Sequence, residues 1–326
     1  DPDNNELKKK YIETSAKLLS YCIKYDSLLV LDTKMKPEDK DKEHKIYQPK
    51  GVNSAIQLLQ AAQNYSNSEN QEELKQGAKY AEIFINAMEN SNLMKDFKHA
   101  ELEGWKTYSK AFRAQSYLNI EGTPEETIVN AYKALFNTNF KGIAYQSLMN
   151  YYREKDKAKQ NLYLQEGIDA LKGDAEQKDL RANFVTILMQ NQFQAGDKEG
   201  FMKTAEIMKT EFADDENAVN AYLMEGQFAF EAKDYETAKK AFLAGSEKYP
   251  DDEKCLLMAA RSAWMKAQTT GSKKEDMNEA ITLFKKLEAA NPESPELWGE
   301  SLYVLYNNTQ QPKLAANYKK YYKSNK

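Results

Sequence analysis

Apolar residues recur at i, i+3, i+4 and i+7 along nearly the whole chain, the spacing that gathers side chains on one face of a 3.6-residue turn. Fifteen stretches fit that template: 5–31, 51–66, 70–91, 96–120, 123–138, 141–154, 157–172, 175–195, 197–212, 215–232, 234–248, 252–268, 275–290, 294–308 and 311–323. Thr123-Pro124-Glu125-Glu126 offers a hydroxyl cap, a proline for the first helical position and an acid for a capping box. Ser294-Pro295-Glu296 repeats the hydroxyl and the proline. Long helices with short polar joints predict stacked hairpins rather than one bundle. The periodicity lapses over 32–50, where Lys36-Pro37-Glu38-Asp39-Lys40-Asp41-Lys42 mixes both charges and few apolar residues. That segment is expected to be a solvated loop, with a recognition tail as the alternative. A second polar insert, Gln268 to Glu275, would need a glycine where Lys266 stands to be a phosphate loop, so that reading fails.

The chain also resembles itself at a shift of 37 residues. Asn183 falls on Asn220, Phe193 on Phe230, Ala195 on Ala232 and Asp197 on Asp234, while Phe212-Ala213-Asp214-Asp215-Glu216 overlies Tyr249-Pro250-Asp251-Asp252-Glu253. Agreement at joints and at apolar positions together marks one helix hairpin as the repeating unit. From Val219 to Pro250 the order is aromatic, small, small, aromatic, proline: Tyr222, Gly226, Ala238, Phe242, Pro250. In these residues the chain resembles the tetratricopeptide repeat (TPR) family, most clearly over about residues 180–326. The next repeat keeps Ala260, Ala280, Phe284 and Pro292, and the last keeps Trp298 but departs at Pro312; an earlier one has Phe201 where a small residue is usual.

The resemblance implies an all-α fold, a right-handed superhelical solenoid of about seven antiparallel hairpins forming a single unit over 1–326. Residues 141–326 would be the TPR-like repeats, and 1–140 divergent helical hairpins carrying the charged loop at 32–50. It further implies that the first helix of each hairpin lines a concave face. By analogy the inward positions are Asn183, Gln190 and Phe193, then Asn220, Gln227 and Phe230, then Arg261 with Trp264, and Tyr303 with Tyr306. Amides and aromatics suit an extended peptide, whose backbone they can bond and whose side chains they can pack, and they also suit sugar rings. With Arg261 as the cation at such places, beside Lys254 at a helix start, the carboxylate clamp of chaperone-binding TPR proteins is not expected.

Composition narrows the chemistry. Thirteen Gly, eight Pro and six Val over 326 residues exclude a mostly-β fold. Hydrophobic residues at 41% and charged ones at 29% fit neither a disordered nor a membrane chain, and no apolar run approaches the ~18 residues of a bilayer span. A net charge of −4 does not call for nucleic acid or an anionic membrane. The 21 Tyr, 13 Phe and 3 Trp are mostly spacers between stacked helices. Cys22 and Cys255 lack disulfide or zinc spacing and read as buried thiols; His44 reads as solvated and His99 as lying near a helix start. No Ser or Cys has a nearby His base, and the acidic clusters Asp214-Asp215-Glu216 and Asp251-Asp252-Glu253 recur at joints, as capping residues do. Neither cofactor nor metal is expected.

The functional expectation is a non-catalytic scaffold that binds a protein or extended peptide as an adaptor in a larger assembly. The alternatives are a carbohydrate-binding protein of the cell envelope, using groove aromatics such as Trp264, Tyr303 and Tyr306, and an α-helical hydrolase. The chain begins at Asp1 without an initiator Met, which fits either a removed signal peptide or trimming. Export or a periplasmic location is the expectation, with the cytoplasm as the alternative.

Overall fold

In the computed structural model, which describes residues 2–271 and 273–322, every regular element is helical and no strand is present among those residues. The chain divides into two compact units, Asp1–Lys172 and Gly173–Lys326.

Unit 1 contains α1 (Pro2–Leu31), α2 (Pro37–Tyr65), α3 (Gln71–Asn90), α4 (Leu102–Asn119), α5 (Glu125–Lys133), α6 (Lys141–Tyr152) and α7 (Lys157–Ala170), each packed on the next. Its core gathers Leu19 and Cys22 of α1, Ala55 and Leu58 of α2, and Ala81 and Phe84 of α3. Gly51 admits the close approach: a Cβ there would lie 2.5 Å from Leu93. Buried Ser109 donates to the carbonyl of Ala81 at 3.0 Å, tying α4 to α3.

The expected loop at 32–50 is helical from Pro37 onward, and only 32–36 connect α1 to α2. Asp32 closes that connection by accepting from the amides of Lys34 (2.7 Å) and Met35 (3.2 Å). Pro37 sits in the first turn with Glu38 and Asp39, residues that suit the positive end of a helix. Mixed charge then serves as helix-surface pairing, Lys42 with Asp39 (3.3 Å) and Lys45 with Asp41 (2.5 Å). The other face carries a short stripe toward α1. His44 Nδ1 lies 2.6 Å from Asp26 Oδ1, and the Tyr47 ring lies 4.4 Å from that of Tyr25. His44 is thus not solvated: its partner Asp26 is buried, and among the described residues neither Asp26 Oδ2 nor His44 Nε2 has a hydrogen-bond partner. His99 precedes α4 as expected, with its ring stacked 4.4 Å from Trp105.

Unit 2 contains α8 (Lys178–Gln194), α9 (Lys198–Glu211), α10 (Ala218–Glu231), α11 (Tyr235–Lys248), α12 (Glu253–Thr269), α13 (Lys274–Ala290), α14 (Gly299–Asn308) and α15 (Pro312–Tyr318). Here the 37-residue shift is structural. The α8–α9 turn has Gly196 at φ +70°, and the α10–α11 turn has Lys233 at φ +60°. The next residue closes each turn twice. The Asp197 amide donates to the Gln192 carbonyl and that of Asp234 to Ala229, both at 2.9 Å. Their carboxylates then cap the following helices, accepting from Gly200 (2.9 Å) and Thr237 (3.1 Å). Asp252 caps α12 in the same way through the amide of Cys255 at 3.1 Å.

Two start signals were misleading. The Thr123 hydroxyl donates to the Ile120 carbonyl and the cap position of α5 is Pro124, so Thr123 cannot form the expected capping box with Glu126; the neighbouring Glu125 reaches Tyr152 (2.8 Å) and Lys159 (2.5 Å). Ser294-Pro295-Glu296 forms turns, and α14 starts only at Gly299. Pro312 does not break the last repeat; it stands in the first turn of α15, where its missing N–H costs nothing.

Candidate functional site

The repeat explains why a groove forms on unit 2. In the α10–α11 hairpin the two helices meet at a small residue. Gly226 of α10 lies under the Phe242 ring of α11, and a Cβ there would come within 2.5–2.6 Å of that ring. Phe242, 1% exposed, fills the space between α10 and α12 and forms the floor. Above it, α10 presents Asn220, Leu223, Met224 and Gln227, spaced i, i+3, i+4, i+7, and α12 presents Lys254, Leu257, Met258 and Arg261 at the same spacing. Two matched stripes from successive hairpins thus face one concavity of about 450 Å³, with Phe193 of α8 at one side.

Its chemistry is divided. The floor is aliphatic, thioether and aromatic, and methionines let such a surface adjust to different side chains. The polar groups stand around it. The Gln227 amide nitrogen donates to Glu231 at 2.8 Å, leaving its carbonyl oxygen toward the groove's chemistry. Arg261 is exposed, and neither it nor Lys254 forms an ion pair among the described residues, unlike Lys239 and Lys266 of the same unit. Those two hold Glu236, whose carboxyl they push down to about 2, Lys266 foremost. On the core side of α12, Cys255 is buried and its thiol is pushed up to about 12 by desolvation, with Asp252 adding to the shift. Such a thiol is not a nucleophile at neutral pH.

Of the ten positions expected on a concave face, Phe193, Asn220, Gln227 and Arg261 come together here. Asn183 and Gln190, on α8, do not line this groove; Asn183 is exposed and Gln190 half-buried. Four aromatic positions serve packing instead. Phe230 is half-buried with its ring edge-on to Tyr235 (5.2 Å), and Trp264 packs edge-on to Phe284 (6.1 Å). Tyr303 lies against Tyr322 (4.7 Å), and Tyr306 is buried, 7% exposed, stacked on Tyr318 (5.7 Å). The reason is the continuation of the fold: α13 and α15 lay rings over residues that helical spacing alone would leave facing outward. Leu223, Met224, Leu257 and Met258 were missed, although each lies at i+3 or i+4 from a position already singled out.

Unit 1 carries a second concavity of about 380 Å³ between α2 and α4, lined by Trp105, Tyr108 and Phe112 with Gln60 and Gln63. Tyr108 is 47% exposed, and His99 backs Trp105. Among the described residues no group of three or more His, Cys, Asp and Glu is placed to hold a metal ion, and no helix is long and apolar enough to cross a membrane. Compared with known proteins, the chain matches no protein-family model and no curated protein.

Proposed function

We propose that the chain is a non-catalytic helical-repeat scaffold, TPR-like over unit 2 with the right-handed superhelical winding that resemblance implies, and that it binds an extended peptide in the α8–α10–α12 groove as an adaptor. The observation that carries this reading is the pairing of an adaptable apolar floor with two cations that have no acidic partner among the described residues, Lys254 and Arg261. A peptide placing a leucine- or phenylalanine-like side chain on Met224 and Met258, with an acidic group one or two residues away, would satisfy both. The amides of Asn220 and Gln227 would pair with its backbone.

The test is panning of a random peptide library displayed on phage against the full chain, then against Lys254→Ala/Arg261→Ala. Both residues are exposed, so folding should be kept. The expected result is enrichment of sequences pairing an acid with a large apolar residue, whose binding falls at least about tenfold in the double variant at unchanged Tm. Enriched sequences lacking acids, or binding equally well to the variant, would remove the reading.

A second reading is favoured by the Trp105–Tyr108–Phe112 surface of unit 1, where ring faces and two glutamine amides suit a sugar. It moves carbohydrate binding away from Trp264, Tyr303 and Tyr306. Quenching of tryptophan fluorescence by oligosaccharides, lost in Trp105→Ala, would support it, and an unresponsive Trp105 across a broad panel would end it.

A further inference from the structure

Helix α1 has two apolar stripes; one is buried, and the other is left open apart from Tyr25, which meets Tyr47 of α2. Leu19, Cys22 and Leu29, together with Asp26, face inward and are buried. One residue earlier at each step lies a second series, Leu7, Tyr11, Leu18, Tyr21, Tyr25 and Leu28, with Thr14 in the sequence gap; these are the a and d places of continuous heptads. All six large side chains are exposed, Leu18 at 41%, Leu28 at 55% and Tyr21 at 70% among them. A surface helix of an ordinary globular protein would carry polar residues on that face. Single exposed large apolar side chains need no explanation, but six in heptad register over about six turns do.

The stripe borders a trough. Between it and α2 run two adjoining concavities of about 340 and 490 Å³ that share Leu18 and Lys50. Tyr47 walls one and Ile56 the other. The charged side chains lining them are lysines, Lys50 in both and Lys24 in the first. Lys10, Lys17 and Lys24 recur every seven residues along the stripe's flank, at a g place, where a coiled-coil partner's charges are read. Lys10 is taken by Glu6 at 3.0 Å, Lys50 leans over the Tyr47 ring, and Lys17 and Lys24 form no ion pair among the described residues. Glu43 stands one turn before Tyr47 and close enough to Tyr25 to act on its hydroxyl, but lines neither concavity.

We infer that this trough docks an amphipathic helix of a partner protein, with apolar residues in heptad spacing flanked by glutamate or aspartate. The charges choose this occupant. A second copy of the chain, paired antiparallel through the same stripe, would set the g-place lysines against their own counterparts. An anionic bilayer would attract the same lysines, but a hollow between two helices receives a ridge rather than a flat surface. The inference does not rest on the unit 2 groove.

The probe is a fluorescein-labelled helix of about 21 residues, three heptads with Leu at a and d and Glu at e and g; its counterpart has Lys at e and g. Fluorescence anisotropy with the full chain should show saturable binding of the Glu probe, at least about tenfold tighter than the Lys probe and weakened by about 0.5 M salt. Tyr21→Glu/Leu28→Glu should weaken it at least about tenfold at unchanged Tm, since both side chains are exposed. Lys17→Glu/Lys24→Glu/Lys50→Glu should reverse the preference in favour of the Lys probe, which a misfolded protein would not do. Equal binding of the two probes, or failure of the reversal, would overturn the proposal. So would a dimer in sedimentation that Tyr21→Glu/Leu28→Glu dissolves, which would assign the stripe to a second copy. Capture on vesicles of about one-third phosphatidylserine, lost in the same variant, would assign it to a membrane surface instead.

Discussion

Unit 2 builds its hairpins from repeated local chemistry: a left-handed residue followed by an aspartate that caps the next helix, recurring 37 residues apart. Unit 1 also has caps, Asn70 on α3 and Asp156 on α7, but they are not spaced as a repeat. Much of its cohesion runs between residues distant in sequence. Gln48 donates to the Leu93 carbonyl at 2.9 Å, Gln71 bridges the Asn119 carbonyl and the Glu121 amide, and Asp26 meets His44 in the α1–α2 interface. Local chemistry leaves a periodic trace in the sequence, whereas contacts between distant residues leave none. That difference is why a repeat could be read in unit 2 and none in unit 1.

The contrast can be broken most sharply in unit 1. Asp26→Ala would leave His44 facing a buried gap without its partner, at a cost of about 3 kcal/mol in the unfolding free energy read by urea denaturation. A loss no larger than that of an exposed pair such as Lys203–Glu199 would mean the α1–α2 interface does not depend on it. In unit 2, Gly226→Ala should cost about 2 kcal/mol by pressing a methyl into the Phe242 ring, and Phe242→Leu in the same chain should restore part of the loss. Additive losses from the two changes would show that they do not share one contact.

Smaller effects test the repeat itself. Asp197→Ala and Asp234→Ala should each cost about 1 kcal/mol, because each removes the same capping bond. At the preceding positions the signs should oppose. Lys233→Gly should raise stability by up to about 1 kcal/mol, relieving a left-handed backbone, and Gly196→Ala should lower it by a similar amount. Equal signs would mean that the two turns are not equivalent.

The smallest effect is electrostatic. Glu236, held at about 2 by Lys266 and Lys239, contributes stability in full above the ordinary carboxylate range, and the contribution fades as pH falls from there toward 2. Its side chain is 39% exposed, so screening keeps the contribution below about 1 kcal/mol. The Tm difference between the protein and Glu236→Gln should therefore shrink between pH 7 and pH 2.5. A constant difference would show that the two lysines do not act through its charge.

Fifteen α-helices among the described residues, most of their bounds, the 37-residue repeat and the Asp252 cap were legible in the sequence, because each rests on chemistry within about five residues. Asp197 and Asp234 were legible as repeat positions but not as caps, and Asp215 accepts from the Asn217 amide rather than capping α10. Four of ten groove positions were legible for the same reason: Phe193, Asn220, Gln227 and Arg261 follow from helix register and repeat phase. Only tertiary structure decided the rest. Register says which way Trp264 and Tyr306 point, but not that Phe284 and Tyr318 arrive to meet them. Likewise, a run such as Glu38 to Lys45 is polar enough for a loop, and it becomes a helix because α1 receives its His44 and Tyr47 on one face while its charges pair on the other. Local spacing fixes a residue's direction, and the neighbour that meets it comes from a part of the chain that no local pattern contains.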